Sequence, residues 1–170
     1  MNRNMKAEIS GEVKGFKLPR YHEIPDVGLY LEQVAEYISE YLKPLGDITL
    51  TGSMISNYVK KGLVSNPVKK QYDREQIAYL FFIAVAKLAL SMEDIRLMLE
   101  VQKRTYGPQV AYDYFCSEFE NILQFIFGLK ESPDVIGVDD TEEKNMLRNT
   151  IITVAHKIYL DKYFEKIRSL

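Results

Sequence analysis

Apolar residues recur along this chain at helical spacing, in blocks separated by short polar or Pro/Gly punctuation. From Val27 they fall at Leu31, Val34, Ile38, Tyr41 and Leu42, one face of a helix that Asp26 can cap and that Pro44 and Gly46 end. A shorter helix is predicted over 51–61, with Met54, Ile55, Tyr58 and Val59 as its apolar residues and Gly62 as its stop. Asp73 and Gln76 make a capping-box-like start, after which Ile77, Leu80, Phe81, Ala84, Val85 and Leu88 form a core face. Ser91 opens a further helix carrying Ile95, Met98, Leu99 and Gln102 to about Arg104. Gly107-Pro108 then breaks the pattern. Ala111, Phe115, Phe119, Ile122, Ile126 and Leu129 form a nearly heptad stripe that ends around Ser132-Pro133-Asp134. Asp140 or Thr141 caps the last helix. Its rows Leu147, Ile151, Ala155, Ile158 and Ile152, Tyr159, Tyr163, Ile167 make a wide apolar face, suited to a bundle or a dimer surface. Residues 1–20 show little periodicity and read as a flexible or extended arm. Pro19 and Pro25 keep the following stretch extended.

The stretch from Ile48 to Asp73 differs in kind. After the short helix come Leu63-Val64, a turn expected at Asn66-Pro67, and Gln71-Tyr72, which read as a small hairpin. The stretch holds Lys60, Lys61, Lys69 and Lys70 and no acid before Asp73. A short capped helix, a basic hairpin and a second capped helix read as a winged helix-turn-helix, so the fold expected is mainly α with a small β-hairpin wing. Ser53, Ser56, Asn57 and Lys60 share the face opposite Ile55 and Val59. Small polar side chains on such a stripe suit a major groove, where Asn pairs with adenine through two hydrogen bonds and Ser donates or accepts. The partner expected is double-stranded DNA. Ser53, Ser56 and Asn57 would face bases, and Lys60, Lys61, Lys69, Lys70, Thr51 and Tyr72 would hold phosphates. Tyr58 would divide its surface between packing and the DNA backbone. Against this, a polar stripe is often only a solvated helix face, and edge strands carry lysine to block strand pairing.

The net charge of −2 over 170 residues excludes a uniformly basic nucleic-acid binder, but the charge is uneven. Acids concentrate at Glu32–Glu40 and Asp134–Glu143, away from the lysine stretch. Phosphate attraction acts over about 10 Å in moderate salt, so the local balance is what matters. Cys116 is the one cysteine, which excludes an intrachain disulfide and fits a reducing cytosol. No charged start followed by an apolar run opens the chain, and the most apolar run, Ile77–Leu90, is too short to cross a bilayer. A cytoplasmic protein without a membrane partner is expected. His22, His156 and Cys116 have no ligand spacing, so no metal is expected. No cofactor loop or nucleophile motif occurs, and Glu118 and Glu120 point to different sides of one helix. No enzyme is expected. The aromatic cluster from Tyr106 to Phe127 reads first as core. In the alternative, Tyr106, Tyr112, Phe115 and Phe119 line an apolar pocket for a small-molecule effector, with tyrosines, Tyr114 among them, as polar handles.

The order of these signals resembles the MerR-type DNA-binding domain. Ile55-Ser-Asn-Tyr-Val-Lys-Lys-Gly-Leu-Val64 lies where that family has its recognition helix and the turn into the wing. Lys70 and Tyr72 match its wing Arg-x-Tyr with Lys for Arg, and Ser91-Met-Glu-Asp-Ile95 is similar to its Ser-x-x-Glu-Ile helix start. Ser56 stands where the family often has a phosphate-binding Arg. The resemblance is closer to a bacterial MerR-like group called domain of unknown function 1836. It is carried by Leu18-Pro-Arg20, Ile24-Pro-Asp26, Leu29-Tyr30, Gln33-Val34, Thr51, Met54-Ile55 and Asn57-Tyr-Val-Lys60, and by Lys70 with Tyr72, over about residues 17–104. With the weak periodicity of the start and the break at Gly107-Pro108, three regions are expected: an arm over 1–20, a winged helix-turn-helix over 21–106, and a helical dimerisation or effector region over 107–170. The resemblance implies the fold and DNA binding; taken with the polar stripe on the short helix and the wide apolar face of the last helix, the function expected is a dimeric, sequence-specific transcription regulator. The alternatives are a protein-interaction module that keeps the fold without DNA, or a small-molecule sensor using the C-terminal aromatic helices.

Overall fold

Ile77, Ala78, Leu80, Phe82 and Ile83 lie around every side of one helix, and such a helix is stable only when surrounded. That helix, α4 (Arg74–Ala86), is the centre of the computed structural model, which describes residues 3–137 and 140–170; ten of its thirteen residues are buried. Packed on it are α2 (Leu31–Leu42), α6 (Pro108–Ile126) and the long α7 (Glu142–Arg168). Three further helices dock on this frame: α1 (Arg3–Val13) on α7, α3 (Gly52–Lys60) on α2, and α5 (Met92–Thr105) on α7. The fold is mainly helical, with one small antiparallel sheet among the described residues.

The helix starts follow local chemistry. Asp73 and Gln76 close a reciprocal box, Gln76 N–H donating to Asp73 Oδ1 at 2.9 Å and Asp73 N–H to Gln76 Oε1 at 2.8 Å. The hydroxyls of Ser91 and Thr141 accept from the amides of Asp94 at 3.1 Å and Lys144 at 3.3 Å. The aromatic interior follows from the stripe on α6. Phe115 stacks on Phe119 with ring centroids 5.7 Å apart, Phe82 of α4 meets Phe115 edge-on at 5.3 Å, and Phe16 meets Phe119 edge-on at 5.9 Å.

Three expectations are corrected. Residues 3–13, expected as part of an arm, form α1 and bury Ile9 and Val13. Lys162 of α7, itself buried, donates to Glu12 at 2.6 Å and fixes that helix. The first predicted helix begins at Leu31 instead of Val27, and Asp26 does not cap it. Leu29 and Tyr30 are held extended as β1 (Leu29–Tyr30), paired antiparallel with β2 (Gln71–Tyr72), Leu29 opposite Tyr72. The arms of the hairpin therefore differ from those expected. Leu63 and Val64 are buried in the core, not paired with Gln71-Tyr72. Gln76 Nε2 donates to the carbonyls of Ser65 at 2.9 Å and Asn66 at 3.1 Å, which carries the chain past Asn66-Pro67 without a turn there. The reversal comes at Val68–Gln71. The wide apolar face of α7 serves a bundle, one of the two uses expected of it: Ile151, Val154, Ala155 and Ile158 are buried, with α1, α5 and α6 packed on the helix. One core runs through Gly107, so the side chains of α6 and α7 join those of α4 without a gap.

Candidate nucleic-acid interface

α3 has nine residues, too few to be stable alone, so its ends and one face are secured from outside. Thr51 Oγ1 accepts from Met54 N–H at 3.2 Å at the start. At the end, Gly62 N–H donates to Val59 O at 3.0 Å and Leu63 N–H to Tyr58 O at 2.9 Å. This paired closure requires a left-handed residue, and Gly62 supplies it at φ +76°. Ile55 and Tyr58 are buried against the rest of the domain. The opposite face is open: Ser53, Ser56, Asn57 and Lys60 are exposed, as are Thr51 and Lys61 at the ends. At its first turn α3 comes close to α2. A Cβ built on Gly52 would lie 2.4 Å from Glu32 Oε1, so the absent side chain lets a carboxylate sit at the positive end of the α3 dipole.

The chain reverses before β2 in a tight turn. Val68 N–H donates to Gln71 O at 3.1 Å, and Gln71 N–H returns to Val68 O at 2.9 Å. The two central residues are Lys69 at φ +51° and Lys70 at φ +63°. Two consecutive left-handed residues make the mirror-image turn that Asn-Gly forms most readily. For a residue with a long side chain this conformation costs roughly 1–2 kcal/mol per position. Both lysines are exposed. Strain kept at an exposed position, where a relaxed alternative exists, points to a use for the side chains. No spacing in the sequence signals this, because the positive φ values follow from the turn's displacement to Val68–Gln71.

Two of the residues expected on DNA are elsewhere. Tyr58 and Tyr72 are each 4% exposed, and burial raises both phenols above their ordinary value, so they pack as neutral side chains instead of meeting phosphate. Of the aromatic residues expected in a pocket, Tyr106, Tyr112 and Phe115 do line a cavity between α4, α5, α6 and α7. Phe119 does not: it lies inside the aromatic stack. His22 and His156 are exposed and Cys116 is buried; among the described residues no group of three His, Cys, Asp or Glu is placed to hold a metal. The Cys116 thiol, 3.7 Å from the Pro19 carbonyl, is pushed by burial to about 12, far from a thiolate at neutral pH. Among the described residues no helix is long and apolar enough to cross a membrane.

The matched family model, described as domain of unknown function (DUF1836), spans residues 19–115, more than half of the chain. The chain belongs to the DUF1836 family. No curated protein and no solved structure matches it. The DUF1836 match takes in α2 to α5, the wing and the first turns of α6. Those first turns hold the segment that leads into the sheet: Asp113 Oδ1 accepts from Tyr21 N–H at 2.8 Å, and the Tyr112 hydroxyl donates to Pro19 O at 2.8 Å. The unit matched therefore includes both the wing's partner strand and the helix that anchors its approach.

Proposed function

We propose that this DUF1836 protein is a sequence-specific DNA-binding transcription regulator of MerR-like winged helix-turn-helix type, acting as a dimer. α3 enters the major groove with Ser53, Ser56 and Asn57 toward the bases. Lys60 and Lys61 at the end of α3, Lys69 and Lys70 at the wing tip, and Thr51 at the cap meet phosphates and fix the register. The observation that carries this reading is the strained, exposed Lys69-Lys70 turn. It keeps two cations where Asn-Gly would be more stable, on a segment with no acid from Ile48 to Tyr72. A second copy packs through the C-terminal half of α7. There Leu160, Phe164 and Ile167 follow at intervals of four and three and stay exposed at 46%, 47% and 43%. A two-fold pair of α3 helices then reads two half-sites.

The test is selection of bound fragments from a random duplex pool at about 150 mM salt, which screens much of the phosphate attraction. The expected outcome is enrichment of a two-fold symmetric site. One observation favours a second reading, a protein-interaction module without DNA: the Glu32 carboxylate at the start of α3 repels phosphate at that end. On that reading no sequence is enriched by the folded protein, and replacing Ser53, Ser56 and Asn57 is without consequence.

A further inference from the structure

The cavity between α4, α5, α6 and α7 has a volume of about 260 Å³. It is larger than the ~150 Å³ apolar cavity that suffices to hold benzene, and just below the ~300 Å³ at which ordinary ligand pockets begin. Its walls are Phe82 of α4, Met98 and Leu99 of α5, Tyr112 and Phe115 of α6, and Leu147 of α7. All but one of the tyrosine and glutamine groups on these walls are already satisfied by the protein. The Tyr79 hydroxyl donates to Gln102 Oε1 at 3.2 Å, and Gln102 Nε2 donates to the Tyr106 carbonyl at 2.8 Å. The Tyr112 hydroxyl is taken by Pro19, and the Tyr106 hydroxyl lies 3.3 Å from Thr141 Oγ1. The exception is Tyr114, whose fully buried hydroxyl has no hydrogen-bond partner among the described residues. The two charged residues on the lining, Glu143 and Lys144, are of opposite sign.

We infer that this cavity is a binding site for one small, uncharged, apolar molecule of about the size of a substituted naphthalene. Wall and occupant match in kind. A wall built mainly of apolar side chains, with the Tyr114 hydroxyl as its one buried unpaired group, returns little for the water a polar ligand gives up, so each further buried polar group on the occupant is penalised and each apolar atom is favoured. A full charge is excluded more strongly, because losing its water on entering a mainly apolar wall costs far more than for a neutral group. The occupant touches α4 and α5, within the family match, and α7, outside it, and so braces the helices of the DNA-reading unit against the C-terminal helix. The site stands on the cavity alone and does not depend on the DNA reading.

The test uses the full chain and 2-acetyl-6-(dimethylamino)naphthalene, an uncharged fluorophore whose emission moves to the blue in apolar surroundings. The chain has no tryptophan, so the emission is read without interference from that residue. The expected result is saturable one-to-one binding with blue-shifted emission. The same ring carrying a sulfonate in place of the acetyl group binds at least tenfold more weakly. Ala111→Phe projects a ring into the cavity from α6 and lowers affinity for the uncharged probe at least tenfold; Ala111→Leu, a smaller intrusion, lowers it less. Both variants are checked for cooperative melting, and either one that is folded decides. Absence of saturable binding, equal binding of the sulfonate, or unchanged affinity in a folded variant would overturn the assignment. A protein that binds no DNA yet takes up the probe would leave this site standing and remove only the DNA reading.

Discussion

Arg20 and Glu120, a hundred residues apart in the chain, form a two-pronged ion pair: Nη1 donates to Oε2 at 2.6 Å and Nη2 to Oε1 at 3.0 Å. Glu120 is buried on α6, and its Oε2 also accepts from the Leu18 amide at 3.1 Å. The pair fastens the Leu18–Tyr21 segment to α6. From that segment the chain runs to β1, and β1 pairs with the wing. Removing one partner of a buried pair leaves the other charge uncompensated, which is worse than never having had the pair. Arg20→Ala is therefore expected to cost about 3 kcal/mol in chemical denaturation. It should also speed hydrogen exchange at the Leu18 and Tyr21 amides ahead of those in α4. Exchange that rises uniformly would show that the pair adds stability without holding this segment in particular.

Two carboxyls give pH dependences of opposite sign. Burial alone would raise Glu12, but hydrogen bonds and charge from Lys162 and Lys166 outweigh it and hold the carboxyl below its ordinary value. A carboxyl lowered in the folded state contributes stability above its unfolded pKa and loses it as pH falls through the folded value. The stability difference between the wild type and Glu12→Gln should thus be full near neutrality and close below the ordinary carboxylate range, with α1 released from α7. Glu118 is raised, chiefly by burial, with Arg148 opposing. Its ionised form is penalised in the folded state, so the wild type should lose stability relative to Glu118→Gln as pH rises from the ordinary carboxylate range through the higher folded value. Melting curves of the three proteins across pH 3–8 check both signs.

The glycines at the two ends of α3 should respond differently to a methyl group. Gly62 has open space around it, so Gly62→Ala meets only the left-handed backbone and should lose about 1 kcal/mol. Gly52→Ala meets the end of the Glu32 side chain at 2.4 Å and Leu31 Cδ2 at 3.2 Å. Both are ends of side chains that can move, and alanine favours the helix, so the net change should be within about 0.5 kcal/mol. Urea denaturation of the two variants separates the cases. A large loss for Gly52→Ala would mean that Glu32 is held rigidly against the start of α3.

What the sequence made legible was what is decided within one turn of chain. The caps at Asp73 and Ser91, the choice of Asp140 or Thr141 for the last helix, the stop at Gly62 and the core stripes of α4 to α7 depend on neighbours three or four residues away. The opposite facing of Glu118 and Glu120 was equally local, and the two carboxylates do reach different arginines, Arg148 and Arg20. The β1–β2 pairing joins Leu29 to Tyr72, and nothing near either residue announces it. α1 was missed because it packs on segments distant in the chain, Lys43–Leu45 and α7, the latter some 150 residues on, and because Gly11 weakens the local helical signal. At the candidate site, the open stripe on α3 was legible from its period. The exclusion of Tyr58 and Tyr72 was not, since either side of a tyrosine can serve core or ligand. The strain at Lys69-Lys70 came into view only once Gln76 was seen to hold Ser65 and Asn66 and move the turn.

The double variant Lys69→Asn, Lys70→Gly separates folding from DNA binding at one turn, and so bears on the DNA reading more sharply than any other change. It should be more stable than the wild type by roughly 1–2 kcal/mol or more, as left-handed strain is relieved. On a mixed-sequence duplex its plot of log affinity against log salt should be shallower by about two, one for each phosphate that a lysine no longer neutralises. An unchanged slope in the stabilised variant would contradict this and remove the wing from any role on DNA.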